Sequence, residues 1–546
     1  MQFEAIEMRG FGVPADNEQG LIGSVQQGPA RRPESAARSA AAGLAGDAEP
    51  PPAGAGGRIG RRTFLLAGSA AAALAGTGSL KGLLGSSAPK AAALPADPTV
   101  AGQWTAPFDL TLISIHAVML HTGKVLLFSW PNNTVGSDAV LYDPVSGSVT
   151  SIPLNYQRDI FCGGMTVLPD GRVFIAGGHI YLSPILRTEG VANTTLFDPA
   201  SSAWTEGPTM DVARWYPTSA QLGDGTVRIF GGVMNNSTDA ITVDAYDPSA
   251  NTLTTLPASA SKVMYLYPRL KLTTSGLVAW TNMGTTYFFN PATAVWATGP
   301  RLTSGGRGER DTSVLLPGLT KIMEIGGKVS GAAVKTAEIL DLSASPLAWK
   351  TTASMNFARW WHNAVLLADG TVLVVGGGAS GAYGAPVLTP EIYDPASATW
   401  TQMAPQAAPR MYHSTALLLP DGRVLSAGQS HGSLQNTGEI FSPPYLFAGP
   451  RPTITGAPAS VGYNQQFTIT TPDFASIGRV ALVKAGSVTH SCNFDQRYVD
   501  LTYQSNGSNG LTATSPPDSN HAPPGWYMLF ILSSGVPSVA SWVQVG

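Results

Sequence analysis

Four residues of unusual chemistry share one offset in the chain. Taking each Asp-Gly pair as a ruler, the position eight residues before the Asp holds Cys162 (Asp170), Tyr216 (Asp224), Trp361 (Asp369) and His413 (Asp421), with Tyr412 one step before His413. A thiol, two phenols, an indole and an imidazole brought to one place would make a metal-binding or redox site. Each residue also has an ordinary reading. A single Cys is most often a small buried hydrophobe, a Tyr at a strand start belongs to core or rim, and a His more often satisfies a backbone carbonyl than binds metal. The shared offset, rather than any one residue, carries the argument. It also sets a condition: adjacent residues of a regular strand point to opposite faces, so Tyr412 and His413 reach one metal only if the backbone there is irregular.

The offset gains spatial meaning from the repeat around it. From about residue 100 an apolar run, Asp-Gly, an apolar alternation and Gly-Gly recur, as in Asp170-Gly171 to Gly177-Gly178, Asp224-Gly225 to Gly231-Gly232 and Asp369-Gly370 to Gly376-Gly377. Asp421-Gly422 with Gly428 is a looser copy, and weaker ones end at Gly284 and Gly326-Gly327. A second phrase follows most copies: Phe197-Asp198-Pro199, Tyr246-Asp247-Pro248, Tyr393-Asp394-Pro395. The period of roughly 50 residues matches kelch-type blades. Asp-Gly makes a hairpin turn, and the double Gly lets neighbouring backbones approach closely. With a degenerate copy at His121-Thr122-Gly123, the expectation is all-β: a seven-bladed kelch-type β-propeller over 100–448. After Pro450-Arg451-Pro452 the period stops, and short alternating strands predict an immunoglobulin-like β-sandwich over 450–546. Because blades are related by rotation, equivalent offsets fall on a ring about one axis.

Composition agrees. Charged residues make up 12% of the 546-residue chain, and Gly (61) and Pro (42) are abundant, which favours short strands and tight turns over long charged helices. The net charge of −3 without a basic cluster argues against a nucleic-acid partner. Two cysteines are too few for a disulfide framework or a Cys-rich zinc site. Residues 1–60, rich in Ala, Gly and Pro, read as a disordered extension. Arg61-Arg62 ahead of a moderately apolar run makes 61–95 resemble a Tat-type export signal, predicting an extracellular or envelope-attached protein. Retention as a membrane anchor is the other reading of that run.

Arg158-Asp159-Ile160-Phe161-Cys162, Arg214-Trp215-Tyr216-Pro217-Thr218, Arg410-Met411-Tyr412-His413-Ser414, Val488-Thr489-His490 and the tail Pro524-Gly525-Trp526-Tyr527-Met528-Leu529-Phe530 with Gly535-Val536-Pro537-Ser538 resemble the copper radical oxidases, the family of galactose oxidase and glyoxal oxidase. The resemblance spans about 100–546. It implies one copper held by Tyr216, Tyr412, His413 and His490, with a thioether joining the Cys162 sulfur to the Tyr216 ring. That linked pair would carry a radical, and Tyr412 would act as axial ligand and base. His490 would come from the C-terminal domain, reaching through the propeller axis. The implied reaction takes an aldehyde or alcohol and O2 to an oxidised product and H2O2.

Where galactose oxidase places a Trp over its thioether, this chain reads Val233-Met234, leaving Trp215, Trp361 and Tyr181 as candidate shields. A Gln-Arg pair that galactose oxidase uses for sugar is replaced by Gly378-Ala379-Ser380. Small aldehydes, as hydrates, or small primary alcohols are therefore expected over galactose. A Cys162–Cys492 disulfide would exclude the thioether. His116, His121, His179, His431 and His521 are read as structural, and His362 as structural or at the substrate mouth. The chain is expected to be a monomer. The alternative from another class is a kelch propeller used as a cell-surface binding module. A hydrolytic zinc site is disfavoured by its two Tyr ligands and lack of a carboxylate base.

Overall fold

The Asp-Gly pairs form the turns their sequence implies. Asp170, Asp224, Asp369 and Asp421 each accept the backbone N–H two residues on, at 2.9–3.0 Å, and the following glycines take φ of 82–91°. Each turn joins the first two strands of a sheet. In the computed structural model the described residues are 97–130, 136–154, 159–182, 187–235, 238–380, 384–430 and 433–546. The expected extension (1–60) and Tat-type segment (61–95) lie outside them, as do Arg158 and His431.

Among the described residues, the repeats form seven sheets that each contain a four-stranded antiparallel set, apart from a further four-stranded sheet of His179–Leu182, Arg187–Gly190, Val233–Asn235 and Thr238–Asp239 and from the C-terminal sheets. The innermost strands of those seven are His116–Met119, Gly164–Val167, Thr218–Gln221, Leu270–Leu272, Thr312–Leu315, Trp360–Leu366 and Ser414–Leu418. These strands pack in succession around a centre: Gly164–Val167 on Thr218–Gln221, Trp360–Leu366 on Ser414–Leu418, and Ser414–Leu418 back on His116–Met119. The last sheet closes the ring by taking Gln103–Trp104, from the start of the described chain, beside Thr437–Ser442. Blade-to-blade contact depends on the Gly-Gly steps. Gly178 N–H donates to the Arg214 carbonyl of the next blade (3.0 Å) and Gly377 N–H to that of Arg410 (2.6 Å); a Cβ at Gly177 or Gly376 would overlap those same carbonyls.

The C-terminal strands form two facing sheets. One contains Ser460–Val461, Ser541–Val545, Gly525–Ser533, Ile477–Lys484 and Arg497–Asp500; the other contains Gln466–Thr470, Gly510–Thr514 and Tyr503–Ser505. Phe467, Ile469 and Leu511 of the second meet Val480, Leu482, Leu529 and Val543 of the first in one buried cluster, so the pair is a sandwich. From it a hairpin, Ser487–Thr489 with Cys492–Asn493, leaves and enters the propeller. It pairs with His116–Met119 (His116↔Thr489, Val118↔Ser487), and its second strand packs on Thr312–Leu315 and Trp360–Leu366. The hairpin therefore occupies the axis around which the blades turn. Buried charges hold it there. Arg269 donates to the His490 carbonyl (3.0 Å), Lys271 to that of Asn493 (3.0 Å), and Asp495 accepts from Thr166 (2.5 Å) and from Val167 N–H (3.0 Å).

Candidate metal centre

The ring positions have a backbone signature the sequence did not reveal. Cys162, Tyr216, Trp361 and His413 all have left-handed backbone, with φ of 57°, 62°, 57° and 65°. Non-glycine residues adopt it rarely and at a cost of about 1–3 kcal/mol, so four at one repeat position mark a built feature. Each stands at the start of an innermost strand, where the left-handed step turns the side chain in toward the axis. Fully buried ion pairs brace three of these steps from two or three residues upstream: Arg214–Asp244 (2.8 Å), Arg359–Glu391 (2.7 Å) and Arg410–Glu439 (3.2 Å). The left-handed His413 also satisfies the condition on its neighbour. The Tyr412 and His413 rings lie on the same side, stacked with centroids 3.9 Å apart.

His490, itself left-handed (φ 48°), arrives from the axial hairpin and meets the others. Its ring centroid lies 4.3 Å from His413, 5.3 Å from Tyr216 and 5.3 Å from Tyr412, with all three near edge-on. Its Nε2 is 3.5 Å from Cys162 Sγ. Ligand atoms of Cys162, His413 and His490 all lie within 4.8 Å of one another, the one such His/Cys/acid group found among the described residues. Cys162 and Tyr216 share a buried apolar cluster, and Tyr216 N–H donates to the Cys162 carbonyl (2.9 Å). All five predicted site residues thus come together, and each is at most 5% exposed.

Hydroxyl groups orient the imidazoles. Thr489 Oγ donates to the Ile115 carbonyl (2.9 Å), so toward His490 Nδ1, 2.6 Å away, it acts as acceptor. Nδ1 then carries the proton, and Nε2 faces Cys162 with a lone pair. His413 Nδ1 has the equivalent partner in Ser430 Oγ, at 2.6 Å. Imidazoles held this way through one nitrogen are arranged as metal ligands commonly are. Two such imidazoles, two phenols and a sulfur, with no carboxylate in the group, fit a tetragonal copper site better than a hydrolytic zinc site.

Several supporting residues escaped the sequence reading. Tyr267 is left-handed (φ 43°), stands 4.9 Å from the His490 ring and 5.3 Å from Tyr216, and donates to the Gly163 carbonyl (3.1 Å). A ruler widened from Asp-Gly to Ser-Gly would have found it: it lies eight residues before Ser275 of Ser275-Gly276. His116 Nε2 accepts the Cys162 N–H (3.0 Å), and burial lowers its pKa to about 3, so the ring stays neutral and anchors the Cys162 turn. Among the candidate shields, Trp215 lies 4.5 Å from the Tyr216 ring at 31°, whereas Trp361 packs edge-on against Tyr412 (4.5 Å); the side chain of Tyr181 lies outside the described residues. His362 is fully buried against Gly326 and is not at a mouth. Cys162 and Cys492 are separate buried thiols, without a disulfide between them. Burial raises the Cys492 pKa.

Comparison with known proteins gives consistent results. Residues 132–443 match the family model "Glyoxal oxidase N-terminus", and 451–545 match "Galactose oxidase-like, Early set domain". A galactose oxidase from Gibberella zeae is 31% identical over 491 residues, covering 81% of this chain and 70% of that protein. The aldehyde oxidase GLOX of Vitis pseudoreticulata is 31% identical over 450 residues, covering 72% and 83%. Among solved structures, a fungal alcohol oxidase of the AA5 family in complex with copper superposes with a TM-score of 0.71 at 28% identity, covering 82% of this chain and 99% of that one.

Proposed function

Because the chain belongs to the galactose oxidase and glyoxal oxidase family of copper radical oxidases, we propose that it holds one copper ion between Tyr216, Tyr412, His413 and His490 and oxidises small aldehydes, as hydrates, or small primary alcohols. The observation that carries this reading is the meeting of His490, from the axial hairpin, with the His413, Tyr412 and Tyr216 rings beside the Cys162 sulfur. In the overall reaction a hydrated aldehyde RCH(OH)2 and O2 give RCOOH and H2O2. Bound copper supplies Lewis acidity and a one-electron acceptor, and lowers the pKa of a coordinated phenol below its usual ~10.

The chain's own groups do the rest. Tyr412 Oη takes the proton of the substrate hydroxyl. The second electron of a two-electron oxidation needs a protein-borne centre. We assign it to Tyr216, joined at its ring to Cys162 Sγ with loss of two hydrogens, because a sulfur substituent makes the ring easier to oxidise. This ring accepts a hydrogen atom from the substrate carbon. Trp215 covers the Tyr216 ring and keeps water from it, in place of the Trp missing at Val233-Met234. The Tat-type segment supports export of the folded enzyme, with the propeller and sandwich forming one catalytic unit.

The test is aerobic loading with Cu(II) followed by H2O2 measurement with glyoxal, methylglyoxal, glycolaldehyde and galactose. Peroxide from the small aldehydes, lost in Tyr216→Phe and His490→Ala, is the expected result. Copper bound tightly with no peroxide from any substrate would instead support the binding-module reading.

A further inference from the structure

We propose that the chain holds a small monovalent anion, of the size of chloride, at the root of the axial hairpin, in a cavity walled by Lys271, Lys484 and Arg497. The cavity has a volume of about 30 Å³, room for one or two water molecules or a single small anion, and Leu315, Phe494 and Pro523 give it apolar wall beside the charged groups. Lys271 lies on the innermost strand Leu270–Leu272, Lys484 ends the sandwich strand Ile477–Lys484, and Arg497 begins its neighbour Arg497–Asp500. In that sheet Lys484 and Arg497 are direct cross-strand partners, an arrangement that is destabilising for like charges. All three cations are at most 8% exposed, so solvent and salt screen them little.

The acids within reach do not balance these cations. Asp495 stands 3.6 Å from Lys484 Nζ and also accepts from Thr166, Ser487 and the Val167 N–H. Glu324 acts on Lys271 from the next blade, while Asp311 pairs with Arg269 (3.5 Å). Asp518, the further carboxylate acting on Arg497, is exposed and accepts the N–H groups of Asn520 and His521, each at 2.9 Å. Setting Asp495 and Glu324 against Lys271, Lys484 and Arg497 leaves one buried positive charge, which a monovalent anion matches. Burial, with repulsion from Arg497 added, lowers the pKa of both lysines, and an anion among them relieves both effects. A donor is in place for it as well, since the buried Arg497 Nε–H makes no hydrogen bond within the protein. The cluster sits where the hairpin bearing His490 leaves the sandwich: Lys271 donates to the Asn493 carbonyl (3.0 Å) and Arg497 to those of Leu272 (3.0 Å) and Asn520 (2.8 Å). An anion here joins the sandwich cations to the propeller strand and stabilises the unit through which His490 reaches the axis.

Two measurements test the assignment, and neither depends on copper or on peroxide formation. In the first, thermal unfolding of the copper-free full chain is followed at pH 7 while sodium gluconate, whose anion is too large for the cavity, is exchanged for sodium chloride at constant ionic strength. The midpoint should rise with the logarithm of chloride concentration, by about 3–5 °C at a hundredfold excess over the dissociation constant. Lys484→Met should remove most of that rise. In the second, crystals of the wild-type protein soaked in sodium bromide should show an anomalous peak between Lys271, Lys484 and Arg497, a readout that needs no variant to fold. A midpoint indifferent to the exchange, or the full rise retained in Lys484→Met, overturns the proposal. So does the absence of a peak, or a peak without stabilisation, which is an adventitious ion only.

Discussion

Replacing Thr489 with Val removes one oxygen from beneath His490 and keeps the side chain's shape. In the folded protein that oxygen accepts from His490 Nδ1–H (2.6 Å) and donates to the Ile115 carbonyl (2.9 Å). Thr489 is fully buried, so water does not replace either bond, and leaving a buried polar group unpaired costs about 1–3 kcal/mol. The more informative loss is in the metal site. Without its acceptor the imidazole no longer has to keep its proton on Nδ1 or hold its plane, and loss of such a partner lowers metal affinity about 10–100-fold. Competition titration against a copper chelator, alongside denaturant unfolding of the copper-free protein, measures both effects. Thr489→Ser, which keeps the hydroxyl, should recover most of the affinity. If Thr489→Val holds copper within about threefold of wild type, or if Ser is as poor as Val, the hydroxyl does not orient a ligand and the reasoning fails.

Other predictions follow from the same geometry. Burial pushes the Asp159 carboxyl up to about 7, against hydrogen bonds from Ser137 and the Phe161 N–H that act to lower it. A pKa above the usual carboxylate value means that the stabilising contribution is complete below about pH 4 and is lost as pH rises through about 7, a change of roughly 4 kcal/mol. Asp159→Asn should flatten the unfolding free energy of the copper-free protein between those limits; an unchanged slope would contradict the assignment. Tyr267→Phe removes the hydrogen bond to the Gly163 carbonyl, next to the Cys162 turn, at a stability cost of about 1 kcal/mol. The Cys162–Tyr216 link should then form more slowly on aerobic copper loading, and formation at the wild-type rate would show that Tyr267 only fills space.

The repeat was readable because its turns demand particular chemistry. Asp-Gly supplies an accepting side chain followed by a residue free to take positive φ, and Gly-Gly allows an approach that any Cβ would block. Those constraints leave marks in the sequence at regular spacing, and the shared offset of Cys162, Tyr216, Trp361 and His413 followed from them. Tyr267 was hidden because its turn uses Ser275-Gly276 and breaks the ruler. The left-handed ring positions were unreadable, since Cys, Tyr, Trp and His give no local signal for positive φ, and the buried Arg–acid pairs that brace three of the four join residues distant in the chain. Only that distortion lets adjacent Tyr412 and His413 face the same way. The hydroxyls of Thr489 and Ser430 are equally silent, because Ser and Thr are common and their role depends on how the fold turns the His490 and His413 rings toward them. That Trp215 lies over the Tyr216 ring while Trp361 packs against Tyr412 likewise follows from packing, which the sequence, offering both as candidates, does not decide.

The most direct test of the account is a peptide map of the protein after aerobic copper loading, reduction and alkylation, read by tandem mass spectrometry against a sample kept copper-free. The account predicts that copper converts the Cys162 and Tyr216 peptides into one linked species two hydrogens lighter than their sum, while Cys492 takes the alkylating label in both samples. Full labelling of Cys162 after copper treatment, with the Tyr216 peptide unmodified, would contradict it.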